Sequence, residues 1–399
     1  MNADSSTMQT SKPAQAGISP AARPLLAAGF TTAFGAHAVA ANLGVYTGSH
    51  HGSLLELGIL LALYDGAEVV LKPVFGSVAD RIGGKPVLIG GLIAFALASA
   101  GFWLATGPAA LFAARLGQGA AAAAFSPAAS MLVARLAPKG SGGRAFGSYG
   151  AIKGLGYALG PLLGSALVAA GGYRLLFATL AILATAVAVW ATLAVPRTAP
   201  VPKSRQTMVQ LARRLSAPSF LGPTAALAGA TGAFSAGVGF LPVLGHRNGL
   251  GPLATGAIVS LLAITAALIQ PRVGRAHDAG RLPTGTGLVA GLAACAAGIG
   301  IAALFPGVAG LIVAAIVTGA GTALITPLGF AALAATAPPD RLGATMGAAE
   351  VGRELGDAGG PLIVGLVAAA SLSAGLGVLA GLLGAGAVIG VLRRRPQRD

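Results

Sequence analysis

The chain has 399 residues, of which 55% are hydrophobic and 9% charged, with a mean hydropathy of +0.80 and a formal net charge of +15. Soluble domains carry about 25% charged residues, so this composition excludes an ordinary soluble globule and points to a polytopic membrane protein. One cysteine, Cys295, excludes an internal disulfide, and no metal site or redox pair is readable.

The first 23 residues are polar and rich in Ser, Ala and Pro, and read as a disordered cytoplasmic tail without signal-peptide character. A hydrocarbon core of about 30 Å needs roughly 20 apolar helical residues. Runs of that kind fall at 24–46, 57–79, 86–106, 109–134, 145–170, 175–195, 220–245, 252–271, 284–305, 308–334, 344–370 and 374–392. Cys295 lies inside the ninth and is expected to be a small buried apolar residue. The expected fold class is an all-α integral membrane protein. Residues 24–195 form an N-terminal six-helix bundle, 196–219 a cytoplasmic linker, 220–392 a C-terminal six-helix bundle and 393–399 a basic cytoplasmic tail. Within the linker, "MVQLARRL" reads either as a short surface-lying amphipathic helix or as a solvated segment.

Charge placement sets the topology. The tails and even-numbered loops hold twenty Lys and Arg residues, the odd-numbered loops only Arg174 and Arg247, and four lie within spans. By the positive-inside rule both termini are expected in the cytoplasm of a cell whose plasma or inner membrane holds the protein. The basic excess is thereby explained without nucleic acid.

The two halves repeat one another. Pro73, Gly76 and Asp80 recur as Pro271, Gly274 and Asp278. Gly147, Lys153, Gly156, Gly160 and Pro161 recur as Gly347, Arg353, Gly356, Gly360 and Pro361. A cation returning in register indicates a parallel six-plus-six duplication. Between spans two and three stand Gly76, Asp80, Arg81, Gly83 and Lys85. Span four carries Arg115, Gln118 and Gly119, and span five Gly147, Gly156, Gly160, Pro161 and Gly164. In these motifs the chain resembles the major facilitator superfamily over nearly its whole length, and within it the proton-coupled drug antiporters. The resemblance implies a fold of two pseudo-symmetric six-helix bundles, with spans two and eleven meeting across the halves and span five at their interface.

Asp80 stands where span two leaves the membrane, and Gly83–Gly84 allow a tight reversal. Its carboxylate can face the positive end of span eleven near Gly343–Met346. Asp80 and Arg81 read either as a latch between halves or as a turn with topological charge. For Asp278, Arg275 and Arg281 the topological reading is preferred. Glycines 156, 160 and 164 form a small-residue ridge, expected to govern how the halves rock or simply to pack helices.

Five of the eleven acidic residues lie within spans, on two helices only. Asp65, Glu68 and Lys72 share an arc of about 60° on span two, and Glu350, Arg353, Glu354 and Asp357 about 100° on span eleven. On a rise of about 1.5 Å per residue, Asp65 and Asp357 sit towards mid-bilayer, while Glu350 and Lys72 lie nearer the cytoplasmic edge. In-span ionisable groups mark functional paths by default. Asp65, Glu68 and Asp357 are candidates to carry a proton, with Glu354 in the same network and Arg115, Lys153 and Arg353 as counter-charges or grips for an anionic substrate. Fixed structural salt bridges joining the halves are the alternative, and four in-span cations against five acids allow nearly complete pairing. Phe34, His37, Tyr64, Gln118, Tyr157 and Phe234 are weaker candidates to line a substrate cavity.

"GLGYALG" at 154–160 lies within a span and follows no strand, so it is not a nucleotide fingerprint. The expected function is a proton-coupled exporter of a small organic molecule or drug, not an enzyme. It is expected to act as a monomer in the lipid bilayer, with no cofactor beyond the proton gradient. A proton-coupled symporter or facilitator for an organic anion, and a non-transporting receptor or scaffold, are the alternatives.

Overall fold

A computed structural model describes residues 20–49, 54–104, 107–198, 213, 216–368 and 371–392. The expectations for residues 1–19, for "MVQLARRL" and for the basic tail at 393–399 lie outside or almost wholly outside these. Among the described residues the regular structure is all helix, joined by short turns. The helices are α1 Arg23–Ser49, α2 Leu54–Ile82, α3 Gly84–Leu104, α4 Pro108–Leu136, then a stretch Gly142–Ala194, α7 Pro218–Arg247, α8 Pro252–Asp278, α9 Thr284–Leu304, α10 Val308–Thr336, α11 Leu342–Ala368 and α12 Leu372–Leu392. The Gly142–Ala194 stretch loses helical geometry at Gly171 and Gly172, the latter at φ 66°. It therefore comprises two helices, α5 (142–170) and α6 (173–194). Glycine is needed there because a side chain rarely adopts that φ.

Among the described residues eight helical stretches are long and apolar enough to cross a bilayer, the 142–194 stretch long enough to do so twice. Several helices outrun the apolar segments that announce them: α8 continues to Asp278, past an apolar run ending at 271. Backbone hydrogen bonds sustain a helix without apolar side chains, and that extension carries Asp278 to a useful position. Outward faces are apolar, with Leu193 81% and Leu366 79% exposed. In water such surfaces would be liabilities; against lipid they are ordinary.

Each half packs in the same way. In the first, α1 lies on α5, α2 on α4, α3 on α4 and on the α5–α6 stretch; in the second, α7 lies on α11, α8 on α10, and α9 on α10 and α12. Phe95, Phe102, Phe125 and Phe177 fill the centre of the first half. Cys295 is buried between α9 and α10 beside Thr318 and Thr322.

The halves join through two crossings, α2 on α11 and α5 on α8, with α10 also against α5. Both lie where α2 and α8 end and α5 and α11 begin, the face of the even-numbered loops. Among the described residues no comparable packing joins α1 to α7. The halves are thus closed against each other at the even-loop face.

Candidate functional site at the crossings between the halves

The α2–α11 crossing is made by glycine. A Cβ on Gly76 would sit 2.5 Å from the carbonyl oxygen of Gly343, and one on Gly347 2.7 Å from that of Lys72. Real side chains do not fit there, so the two backbones touch. At its end Asp80, buried, accepts hydrogen bonds from the amides of Gly343 at 2.7 Å and Ala344 at 2.8 Å. These are orphan N–H groups at the start of α11, which favour a negative partner. The other loop residues serve differently. Gly83, at φ 93°, makes the turn; Arg81 is exposed. Lys85 donates to the carbonyls of Thr192 at 2.8 Å and Val195 at 2.6 Å, capping the end of α6 within its own half.

The α5–α8 crossing repeats this lock. Asp278 accepts from the amides of Gly143 at 2.9 Å and Arg144 at 2.8 Å. Gly147 approaches the Gln270 carbonyl so closely that a Cβ would lie 2.6 Å from it. The expectation that Asp278 serves topology alone is therefore corrected: it bonds a helix start across the halves as Asp80 does. That contact needs only a carboxylate, two free amides and small residues, all retained in the second copy.

The span-five ridge faces elsewhere than its interface role suggested. Cβ atoms on Gly156 and Gly160 would meet Phe30, Phe34 and His37, and one on Gly164 would meet Ala38, all on α1. The repeat does the same, Gly356 and Gly360 seating Ala228 and Gly232 of α7. The ridge binds helices within each half, and among the signature's glycines Gly147 is the one seated against the opposite half among the described residues. The helix runs through Pro161 without loss of helical geometry.

Above the α2–α11 lock lies a buried cluster of charge. Lys72 Nζ is 2.8 Å from Glu68 Oε2, 2.8 Å from Glu354 Oε1 and 3.8 Å from Glu350 Oε2. Arg353 pairs with Glu350 at 3.2 Å, with Glu354, and donates to the Tyr157 hydroxyl at 3.2 Å. Ser130 donates to Glu350 Oε1 at 3.3 Å. Lys153 Nζ approaches Glu350 at 3.6 Å. Three cations thus face three carboxylates, drawn from α2 and α5 on one side and α11 on the other. Lys72, placed near the edge by counting along the helix, is the hub; it and Glu350 are the site residues undervalued by the sequence reading. Their signals were the i, i+4 spacing of Glu68 and Lys72 and the i, i+3 spacing of Glu350 and Arg353.

Pairing stops at this cluster. Arg115 stacks over the Tyr64 ring, 4.5 Å from its centroid, and donates to the Leu60 carbonyl at 3.4 Å. Its Nη1, Glu68 Oε1 and the Tyr64 hydroxyl are buried and have no hydrogen-bond partner among the described residues. Asp65 and Asp357 form no ion pair among the described residues. Asp65 is exposed, and its charged neighbours are Glu354, Glu68, Arg115 and Asp357, which sets it towards the seam between the halves. The expectation of nearly complete pairing is replaced by a paired core with two further acids at its margin.

A cavity of about 70 Å³ adjoins the cluster, lined by Lys153, Tyr157, Phe234, Gln270, Glu350 and Arg353 among others. Of the weaker candidates, Tyr157 and Phe234 line it, and His37 stands edge-on to Tyr157 at 4.5 Å. Phe34 stacks on Phe30 at 5.5 Å, and Tyr64 lies beneath Arg115. Gln118 turns its amide to the Ser99 hydroxyl of α3, donating at 2.8 Å, while its Oε1 is buried without a partner among the described residues. A larger recess of about 740 Å³ between α7, α9, α11 and α12 has no polar side chain and offers nothing to orient a ligand.

Two repeated six-helix units, a doubled backbone lock and charge buried between them define a membrane carrier of the two-bundle class. The family model described as Major Facilitator Superfamily matches residues 25–311, and the chain belongs to that superfamily, whose members are transporters. Among similar proteins is the puromycin resistance protein pur8 of Streptomyces alboniger, 44% identical over 93 residues, 23% of this chain and 18% of that protein. The probable actinorhodin transporter of Streptomyces coelicolor is 34% identical over 165 residues, 40% of this chain and 27% of that protein. The quinolone resistance protein NorA of Staphylococcus aureus is 29% identical over 109 residues, 27% of this chain and 28% of that protein. These matches span under a third of each relative's length. In fold, the chain resembles the human organic anion transporter MFSD10, with a TM-score of 0.77 at 17% identity over 93% of this chain and 99% of that one. The E. coli fucose:proton symporter FucP gives 0.74 at 15% identity, over 92% and 98%.

Proposed function

We propose that the chain is a proton-coupled exporter of a small organic molecule, working by alternating access as a monomer in the cell membrane. Its termini and even-numbered loops are cytoplasmic, following the positive-inside bias. The proton gradient is its energy source and no other cofactor takes part. The observation that carries this reading is the Lys72 hub. Opening the even-loop face parts Lys72 and Lys153 from Glu350 and Glu354, leaving the α11 carboxylates with Arg353 alone. A buried charge stripped of its partner costs about 3–5 kcal/mol, and taking up a proton removes that cost. Opening and proton binding are therefore linked. Asp65 and Asp357, at the margin of the cluster, are the acids suited to exchange protons with solvent, and Asp80 and Asp278 hold the closed state.

Export is supported by the span-five signature and by the similarity to resistance proteins. Everted vesicles test it: on acidifying the lumen, the exported compound accumulates inside, and Asp65→Asn or Asp357→Asn removes that accumulation. No accumulation of any compound in a susceptibility-guided panel overturns the exporter reading. A second reading, proton-coupled movement of an organic anion in the opposite sense, is favoured by Lys153. That cation lines the cavity, pairs only at 3.6 Å and donates no hydrogen bond among the described residues. Loss of anion from the acid-loaded vesicles would select it.

A further inference from the structure

On the lipid-facing side of the first half, away from the seam, two recesses run into one another. The first, of about 630 Å³, lies at the even-loop end of α3 and α6 and is lined by Ile82, Lys85, Ile89, Arg197 and Thr198 among others. The second, of about 340 Å³, continues between α3 and α6 along Ile93, Leu97, Val189 and Leu193. Ile89 and Thr192 line both. From Ile89 to Leu97 the groove follows α3 for about 12 Å into the bilayer.

The two parts differ in chemistry. The mouth holds two cations and no acid lines it. Arg197 is exposed and makes no hydrogen bond or ion pair among the described residues. Lys85 spends two of its three donors on the α6 carbonyls and keeps one. The Thr198 hydroxyl is buried without a partner among the described residues. The groove is apolar but for the hydroxyls of Thr185 and Thr192, which donate to carbonyls of their own helix. Its walls are exposed, with Ile93 at 47% and Leu97 at 66%.

We propose that this face binds one anionic phospholipid of the even-loop leaflet, its phosphate between Arg197 and Lys85 and one acyl chain in the α3–α6 groove. Free phosphate would satisfy the mouth but not the groove, and a neutral lipid the groove but not the mouth. The occupant therefore carries both, with its headgroup at the leaflet surface where basic residues meet anionic lipid. The site goes beyond the transport reading, since it lies on the outer face and does not depend on substrate or proton.

The test is lipid retention on the purified full chain, measured by native mass spectrometry from micelles doped with phosphatidylglycerol or phosphatidylcholine of identical chains. One phosphatidylglycerol is expected to persist about fivefold more than phosphatidylcholine. Arg197→Gln abolishes that difference, and Arg197→Lys keeps most of it. Ile93→Trp, filling the groove, lowers retention of both lipids. Equal retention of the two lipids by the unmodified protein overturns the proposal, whatever the variants do. So does an Arg197→Gln chain that still prefers phosphatidylglycerol. Full displacement by millimolar inorganic phosphate reduces the site to an anion pocket and overturns it as well.

Discussion

The α2–α11 and α5–α8 crossings share a backbone and differ in charge. Asp80 and Asp278 bond the same two amides of their partner helices, and Gly76 matches Gly274 where the chains touch. Above the locks the likeness ends. Lys72 is replaced by Gln270, Glu68 by Ala266, Asp65 by Ala263, Glu350 by Gly150 and Glu354 by Gly154. Duplication preserved the part that closes the molecule and left ionisable groups concentrated on one side. Where α2–α11 carries a charge cluster, α5–α8 borders the cavity, with Phe146 of α5 stacked on Phe330 of α10 at 5.6 Å. One crossing is suited to sense protons, the other to make room.

The largest effect that can break this comparison is at its most unequal pair. Lys72→Met leaves three carboxylates around an apolar side chain and is expected to cost about 3–5 kcal/mol. Gln270→Met, at the matching position, removes an amide whose oxygen has no partner among the described residues and should cost about 1 kcal/mol or less. Thermal unfolding in nanodiscs measures both. Adding Glu354→Gln to Lys72→Met should recover part of the loss, because it removes one of the stranded charges. Equal melting temperatures for the two single variants would mean that the cluster contributes nothing particular to holding the halves together.

At the locks the comparison predicts equality. Asp80→Asn and Asp278→Asn each keep one acceptor and lose the charge facing a helix start, a change of about 1–2 kcal/mol in partly buried settings. Each should move the closed population by roughly tenfold, and the double variant by roughly the product, since each carboxylate bonds its own pair of amides. Spin-label distances between even-numbered loops of opposite halves report this. A large effect from Asp80→Asn beside none from Asp278→Asn would make the second lock ornamental.

Much of the fold was legible because hydropathy and charge act over twenty-residue windows. The twelve long helices among the described residues, their two-fold repetition and the Gly171–Gly172 break all follow from where apolar runs stop. The Asp80 contact was legible too, since one helix ends and another begins on the same face. The centre was harder. Counting along α2 sets Lys72 near an edge, but its surroundings are decided laterally, by which residues α11 presents at the crossing. Gln118 illustrates the same limit: its position on α4 is plain, its rotation towards Ser99 on α3 is not. The ridge at 156, 160 and 164 announces a close helix neighbour without naming α1 rather than α8. Asp278 stands with Arg275 and Arg281 in a worn copy of the loop and reads as topological charge, yet its contact needs only the carboxylate and two free amides.

The smallest predicted effect separates residues that one loop motif places side by side. Lys85 lies five residues from Asp80, but its ammonium caps α6 through Thr192 and Val195 and touches nothing in the second half among the described residues. Lys85→Ala therefore removes a favourable cation from a helix end, worth about 0.3–1 kcal/mol, and lowers the melting temperature slightly. The spin-label distances between halves should stay as in the unmodified protein, because open and closed forms both keep the first half intact. If Lys85→Ala instead opened the even-loop face as Asp80→Asn does, the loop would act as one gate, and the division between a cap within one half and a lock across two would fail.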